Sequence, residues 1–168
     1  MAQGKKDKKK SKSGMLSVNA TIAENRRARF EYAIEETFEA GLALQGTEVK
    51  SMRLGQASIN EAYAGEKNGE MWLFNAHVGE YMQAGTHLQH EPRRIRKLLL
   101  KKKEIHKLMG AASKEGYTIV PLKLFFDDRG IAKLLIGLGK GKQLHDKRET
   151  SKERDWNRQK QRIMKENH

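Results

Sequence analysis

The chain has 168 residues, 37% hydrophobic and 33% charged, with 34 Lys and Arg against 21 Asp and Glu for a formal charge of +13. That length suits one compact domain of about 100–150 residues with tails, not two full domains. Cysteine is absent, which excludes disulfides, cysteine-ligated zinc, iron–sulfur clusters and thiol chemistry. No apolar run approaches the ~20 residues of a membrane span, and none follows the lysine-rich start as it would in a secretory signal. The expectation is a soluble cytoplasmic protein with polyanionic partners, RNA or DNA first.

The basic charge is uneven. Residues 1–14 hold six lysines and one aspartate with almost nothing apolar, which predicts a disordered leader over residues 1–19. Asn25-Arg26-Arg27-Ala28-Arg29 then gathers three guanidinium groups, whose planar forks suit phosphates and stack on bases. Alternation predicts a strand from Arg29 to Phe38, with Phe30, Tyr32, Ile34 and Phe38 on one face and Glu36 the break in it. Helical spacing covers Leu44 to Leu54 and stops at Gly55. A weaker strand runs from Ala57 to Ala64, and Gly65 to Gly69 reads as a turn. Met71 to Val78 alternates again, with Trp72, Phe74, Ala76 and Val78 on one side.

After Pro92, a helix is predicted over Arg94 to Ser113, with Ile95, Leu98, Leu99, Ile105, Leu108 and Met109 turned inward. The run Arg93 to Lys107 carries eight Lys and Arg against one Glu, too lopsided for ordinary mixed surface charge, so its outer face is read as an RNA contact. Thr118 to Phe126 and Ile131 to Leu138 make a β-hairpin around Asp127-Asp128-Arg129-Gly130. Residues 140–168 hold ten basic and five acidic groups. Trp156, Ile163 and Met164 share a helical face there but are too few to hold a helix alone, which fits a tail disordered when free and helical when bound; a merely frayed end fits the composition as well. The whole reads as mainly β: a small antiparallel OB-like barrel over residues 20–139 with two or three embedded α-helices and a basic C-terminal tail over 140–168.

Catalytic signals are weak. His87 and His90 are three apart, but Glu91 is the only adjacent carboxylate, so a metal site is not read there. Asp127 and Asp128 would suit Mg²⁺ in a nuclease, yet they fall where a hairpin turn wants aspartate. The glycine–lysine run Gly137 to Lys142 lacks the spacing and hydroxyl of a P-loop and reads as a flexible exit. No nucleophile–base pair stands out, and no cofactor or metal is expected. Composition alone leaves a constitutive ribosomal protein, an initiation-factor-like OB domain or a Mg²⁺-dependent ribonuclease as rivals to a dedicated RNA-binding adaptor.

The segments NRRARFEYAIEETFEAGLALQGTEVKSMRLGQ, RKLLLKKKEI, GYTIVPLKLFF and GKGKQLHDKR, in that order from about residue 20 onward, resemble the SsrA-binding protein family, also called small protein B. The resemblance implies an OB-like barrel and a binding function in trans-translation, the bacterial rescue of stalled ribosomes. It implies that the tRNA-like domain of transfer-messenger RNA is held near its elbow, the protein standing in for the missing anticodon arm. Further implied partners are the stalled ribosome, elongation factor Tu and, indirectly through the RNA, alanyl-tRNA synthetase.

Carried onto this sequence, the resemblance implies RNA contacts at Asn25, Arg26 and Arg27, with Arg29 beside them. Glu39, in the EAG turn, matches an acidic RNA-contacting position, where a carboxylate accepts from base amino groups or 2′-hydroxyls. Leu99 matches a leucine linked to RNA binding, although helical periodicity places it in the core. Arg96, Lys97 and Lys101 belong to the same basic run; some members carry Asn or His where Lys101 stands, which leaves it a phosphate contact. In the tail, Lys140, Gly141 and Lys142 with His145-Asp146-Lys147-Arg148 match the GK…DKR signature for the decoding centre. His145 is expected to stack on a base, Lys147 and Arg148 to meet rRNA phosphates, and Asp146 to cap the following helix. Trp156, Ile163 and Met164 would supply the apolar contacts of the bound tail.

Overall fold

The structure is a computed structural model that describes residues 14–114, 116–142 and 144–166, without the side chains of residues 144–147. The first thirteen residues of the expected leader lie outside the described residues. Leu16 is buried in the core and its amide donates to the Arg53 carbonyl at 2.7 Å, so the folded body reaches back to that residue. In chain order the elements are β1 (Thr21–Glu24), α1 (Arg26–Glu31), β2 (Tyr32–Leu42), α2 (Gly46–Arg53), β3 (Ala57–Ser58), β4 (Tyr63–Lys67) and β5 (Glu70–Phe74). They continue with β6 (His77–Val78), a 3-10 turn at Met82–Ala84, β7 (Arg96–Leu99), α3 (Lys102–Ala112), β8 (Tyr117–Phe126), β9 (Ala132–Gly141) and α4 (Leu144–Glu166).

The expected mainly β, antiparallel, OB-like architecture is present. Seven strands form one sheet in the order β1-β8-β9-β2-β7-β5-β4, and β3 pairs with β6 apart from it. The sheet wraps its core so far that β4 runs beside the part of β8 that β1 leaves uncovered, but no ladder joins the two edge strands and the barrel stays open. Inside lie Phe38, Met52, Met71, Leu73, Leu98, Leu108, Phe126, Leu134 and Ile136, each worth about 1.5–3 kcal/mol of burial. Among the described residues no helix is long and apolar enough to cross a membrane.

Several elements differ from the sequence reading, each for a physical reason. Arg29 lies in the last turn of a short helix instead of opening a strand. Asn25 caps that helix by accepting from the Ala28 amide at 3.2 Å, and its Nδ2 donates to the Pro121 carbonyl at 3.3 Å. In β2 the register shifts between Ile34 and Glu36. The extra residue turns Tyr32 and Ile34 outward, where they pack with Ala28, Val120 and Leu122 beneath α1, and leaves Phe38 inward. Glu36, the break in the apolar pattern, accepts from Lys107 Nζ at 2.8 Å.

In β5, Met71 and Leu73 are buried while Trp72 and Phe74 face outward, the reverse of the expected parity. Asn75, at a left-handed φ of 59°, ends that strand, so Ala76 and Val78 are buried as expected even though Trp72 and Phe74 are not. The turn expected over Gly65–Gly69 shrinks to Asn68-Gly69, at φ of 54° and 76°, the two-residue hairpin that Asn-Gly favours.

The largest departure is the helix predicted over Arg94–Ser113. Its first part is β7, inserted between β2 and β5, and only Lys102–Ala112 is helical. Arg96 and Leu98 alternate inward; Lys97 and Leu99 alternate outward. Hairpin β8–β9 forms as predicted, with Gly130 at φ 77° and the Asp127 carboxylate accepting from the Arg129 and Ile131 amides at 2.9 Å. Those bonds, Ile131's first, hold the Asp127 carboxyl below the usual carboxylate range. Gly137 and Gly139 belong to β9 rather than to a flexible exit: a Cβ on Gly137 would lie 2.9 Å from Leu122 Cδ1, in the space the outer cluster fills.

Candidate nucleic-acid interface

Register fixes what the outer face of the sheet presents. Phe125 pairs with Lys133, Lys133 with Gly41, and Gly41 with Leu99. Lys123 pairs with Leu135 and Leu135 with Glu39, while one strand further Lys97 pairs with Trp72. Directly paired residues share a face, so Glu39, Lys97, Leu99, Lys123 and Lys133 stand on one surface. Leu99 is 52% exposed because Leu98 takes the inward place, and it lies over Gly41, where a Cβ would come within 3.2 Å of it. The groove beside it, about 750 Å³, is lined by Glu39, Lys97, Leu99, Lys101, Lys102 and Lys133. Past Glu39, a second hollow of about 430 Å³ is lined by Lys123, Phe125, Arg129 and Lys133 among others.

The groove therefore joins four residues read from the sequence, Glu39, Lys97, Leu99 and Lys101. It offers ammonium groups for phosphates, an apolar side chain, and a carboxylate that only accepts. Lys97 is partly neutralised by Glu70 at 2.7 Å, whereas Lys101 and Lys102 make no ion pair among the described residues. Lys133, Lys123 and Arg129 escape the sequence reading. Lys133 is legible as the polar outward position of its strand, but the apolar residues on both sides of it hide the alternation.

Arg96 does not reach this surface. It is wholly buried, and its guanidinium donates to Glu48 Oε1 at 2.9 Å and to the Ala76, Arg94 and Pro92 carbonyls. Arg94 Nη2 donates to Glu48 Oε2 at 2.8 Å, and the Gln45 amide donates to the same oxygen at 2.9 Å. Burial alone would raise the Glu48 carboxyl; the Arg94 hydrogen bond, the Gln45 amide and the Arg96 charge outweigh it and leave it below its ordinary value. The cluster ties α2 to the start of β7 and so fixes the strand that carries Lys97 and Leu99. It positions the groove without touching what binds there.

Arg26, Arg27 and Arg29 lie elsewhere. They are exposed on α1, before the other end of β2, and the seven steps from Tyr32 to Glu39 span about 23 Å of strand. Arg26 approaches Glu24 at 3.8 Å and Arg27 pairs with Glu31 at 2.7 Å. Asn25 is buried with its amide committed to cap and strand, so it orients these arginines from below. The tail leaves beside them. Gly141 ends β9 opposite Tyr32, the exposed Lys140 lies over the Tyr117 ring, and Lys142 Nζ donates to Thr150 Oγ1 at 3.1 Å. Arg154 sits 5.3 Å from the Phe30 ring centroid.

Helix α4 carries Arg148 exposed, and Trp156, Ile163 and Met164 stand largely in solvent. The side chains of His145, Asp146 and Lys147 lie outside the described residues. As described, α4 runs from Leu144 and includes the backbone of Asp146.

The SmpB protein family pattern matches residues 22–166. An SsrA-binding protein of Rhizobium etli (strain CIAT 652) is 58% identical over 156 residues, covering 93% of this chain and 98% of its own. Another, of Nitrobacter winogradskyi, is 60% identical over 144 residues, covering 86% of this chain and 91% of its own. A solved structure described as "tmRNA-SmpB: a journey to the center of the bacterial ribosome" superposes with a TM-score of 0.60 at 46% identity, over 75% of this chain and 91% of that one. With an open antiparallel sheet, a basic outer groove around Glu39 and a collinear match through the tail, the chain belongs to the SmpB family of SsrA-binding proteins.

Proposed function

We propose that this chain is an RNA-binding adaptor of trans-translation that works through two surfaces. The outer groove holds the tRNA-like domain of transfer-messenger RNA, with Glu39 reading base amino groups or 2′-hydroxyls and Lys97, Lys101, Lys102 and Lys133 meeting phosphates. The basic tail enters the vacant message channel of a stalled ribosome, where His145, Lys147 and Arg148 meet decoding-centre RNA and Trp156, Ile163 and Met164 supply apolar contacts. Arg26, Arg27 and Arg29, beside the tail's root, serve phosphates at the junction of the two. Support for alanylation of the RNA by alanyl-tRNA synthetase and delivery with elongation factor Tu follow from holding the RNA in this way, and place the work in the bacterial cytoplasm. Binding and positioning are the whole of its chemistry.

The observation that carries this reading is the separation itself: the Glu39 groove and the tail root occupy opposite ends of β2. A competition titration at physiological salt tests it, with the tRNA-like domain of transfer-messenger RNA set against an elongator tRNA of similar length. A preference of about a hundredfold, about 2.7 kcal/mol, is expected; equal competition would reduce the protein to a general basic RNA binder. Glu39→Arg should weaken that binding and leave the tail competent. Truncation after Lys142 should spare it and abolish peptide tagging on stalled ribosomes. Equal loss of affinity in both variants would refute the two-surface reading.

A further inference from the structure

Hairpin β4–β5 is apolar on both faces. Inward it buries Met71 and Leu73; outward it carries Trp72, Phe74 and Tyr63. Three aromatic rings turned away from the core of one hairpin need a reason, since the outward positions of a half-buried antiparallel sheet are ordinarily polar. Tyr63 and Phe74 are paired across the strands and stack at 5.1 Å between centroids with 12° between planes. Tyr63 nevertheless remains 55% exposed, so its ring is held by Phe74 on one side and open on the other. Trp72 is anchored in turn by its indole N–H, which donates to the Lys67 carbonyl at 3.2 Å.

We propose that Tyr63 is a stacking platform for an unpaired nucleobase of RNA. The surface around it has the matching charge and continuity. Trp72 pairs directly with Lys97 of the groove, and Gly69 and Glu70 at the hairpin tip also line that groove. On its other flank Tyr63 borders a small hollow shared with Arg27 and Asn60. The two carboxylates that line this hollow, Glu31 and Glu61, are already engaged by Arg27 and Arg93. RNA lying in the groove thus reaches Tyr63 across Trp72, and a base stacked there has an arginine for its phosphate and an amide for its edge. A ring fixed before binding loses little freedom on stacking, which favours an aromatic platform over a flexible contact. The platform deepens the adaptor reading and rests on it.

The test compares wild type, Tyr63→Leu and Tyr63→Phe on two probes, the isolated tRNA-like domain and ribosomes stalled with an empty channel. Tyr63→Leu should weaken one of them about tenfold, as expected for the loss of one base–aromatic stack, with the slope of log affinity against log salt unchanged because every phosphate stays neutralised. Tyr63→Phe should restore wild-type affinity. The probe that responds identifies the source of the base, transfer-messenger RNA or rRNA. A weakened affinity with a shallower salt slope, or a Tyr63→Phe as weak as Tyr63→Leu, would overturn the platform. Photo-crosslinking of 5-iodouridine-substituted RNA to the wild-type protein needs no variant and should attach at Tyr63; attachment confined to the groove lysines and Leu99 would also overturn it. The two readings fail separately. A wild type that does not prefer the tRNA-like domain sinks the adaptor, whereas a preserved preference with Tyr63→Leu equal to wild type on both probes sinks only the platform.

Discussion

Residues 93–107 and residues 144–166 are both crowded with lysine and arginine, yet their charges end in different surroundings. In the first segment, Arg94 and Arg96 converge on the buried Glu48, Arg93 donates to Asn75, Lys97 pairs with Glu70 and Lys107 with Glu36. The lysines of this segment outside these pairs are the exposed Lys101, Lys102 and Lys103 at the start of α3. In the second segment the charged side chains described, those from Arg148 onward, are exposed, together with Trp156, Ile163 and Met164. Charge density alone does not separate these outcomes. An acid placed to receive the cations does, and Glu48 sits forty-odd positions away on α2, where only the fold brings it to β7.

The sharpest way to break this contrast is to remove that acid. Glu48→Leu leaves the buried Arg96 guanidinium, and the half-buried Arg94 beside it, without their shared carboxylate, and should cost about 3–5 kcal/mol in urea unfolding. Groove binding should fall with it, because β7 loses its anchor. A cost below about 1 kcal/mol would mean that the cluster is not what fixes β7. Acid gives the same answer without a mutation. The Glu48 carboxyl is lowered in the folded protein, so its contribution is complete above its ordinary value of 4.5 and is lost as pH falls through the folded value. Stability should be level from pH 7 to about 5 and decline below that. Glu48→Gln should flatten the decline.

How far the sequence discloses these regions follows from the kind of signal each carries. Hairpin β8–β9 is legible because Asp127 and Gly130 have local work, accepting two amides and taking positive φ, that needs no knowledge of the fold. The groove is legible at Glu39 and Leu99 through family resemblance alone, since helical periodicity places Leu99 inside. β7 is not legible: Leu98, Leu99 and Leu100 form an apolar run without a period, and Arg96 looks like a surface residue until its acceptors are known. The split of β2 into two faces is hidden too, because a bulge reverses parity without marking the sequence. Trp72 and Phe74 mislead for a related reason. Large apolar residues alternate on β5 in both registers, and nothing local says which set is the core.

A smaller effect is expected at the cations that the first segment leaves free. Changing Lys101 and Lys102 together to Gln should reduce the salt slope of RNA binding by about 0.7–0.9 for each phosphate no longer neutralised, with thermal stability unchanged. The same pair of changes in α4, Lys160→Gln with Arg162→Gln, should leave binding to the isolated tRNA-like domain alone. If the tail changes reduce that slope as much, the two segments are one surface and the contrast fails.

The smallest effect concerns a contact at the root of the second segment. Arg154 over Phe30 is a cation–π pair near the surface, worth about 0.5–1 kcal/mol. It joins α4 to α1 and to nothing in the core. Phe30→Leu keeps an apolar side chain but removes the ring face. It should speed amide exchange in the first turns of α4 by about threefold while the body's exchange and urea midpoint stay fixed. Arg154→Gln should do the same, and the double variant no more, because both remove one interaction. Should Phe30→Leu instead lower the global midpoint, α4 would be part of the cooperative unit. The tail would then not be free to leave the body for the ribosome without unfolding it, and the separation into a locked body and a loosely rooted tail would have to be given up.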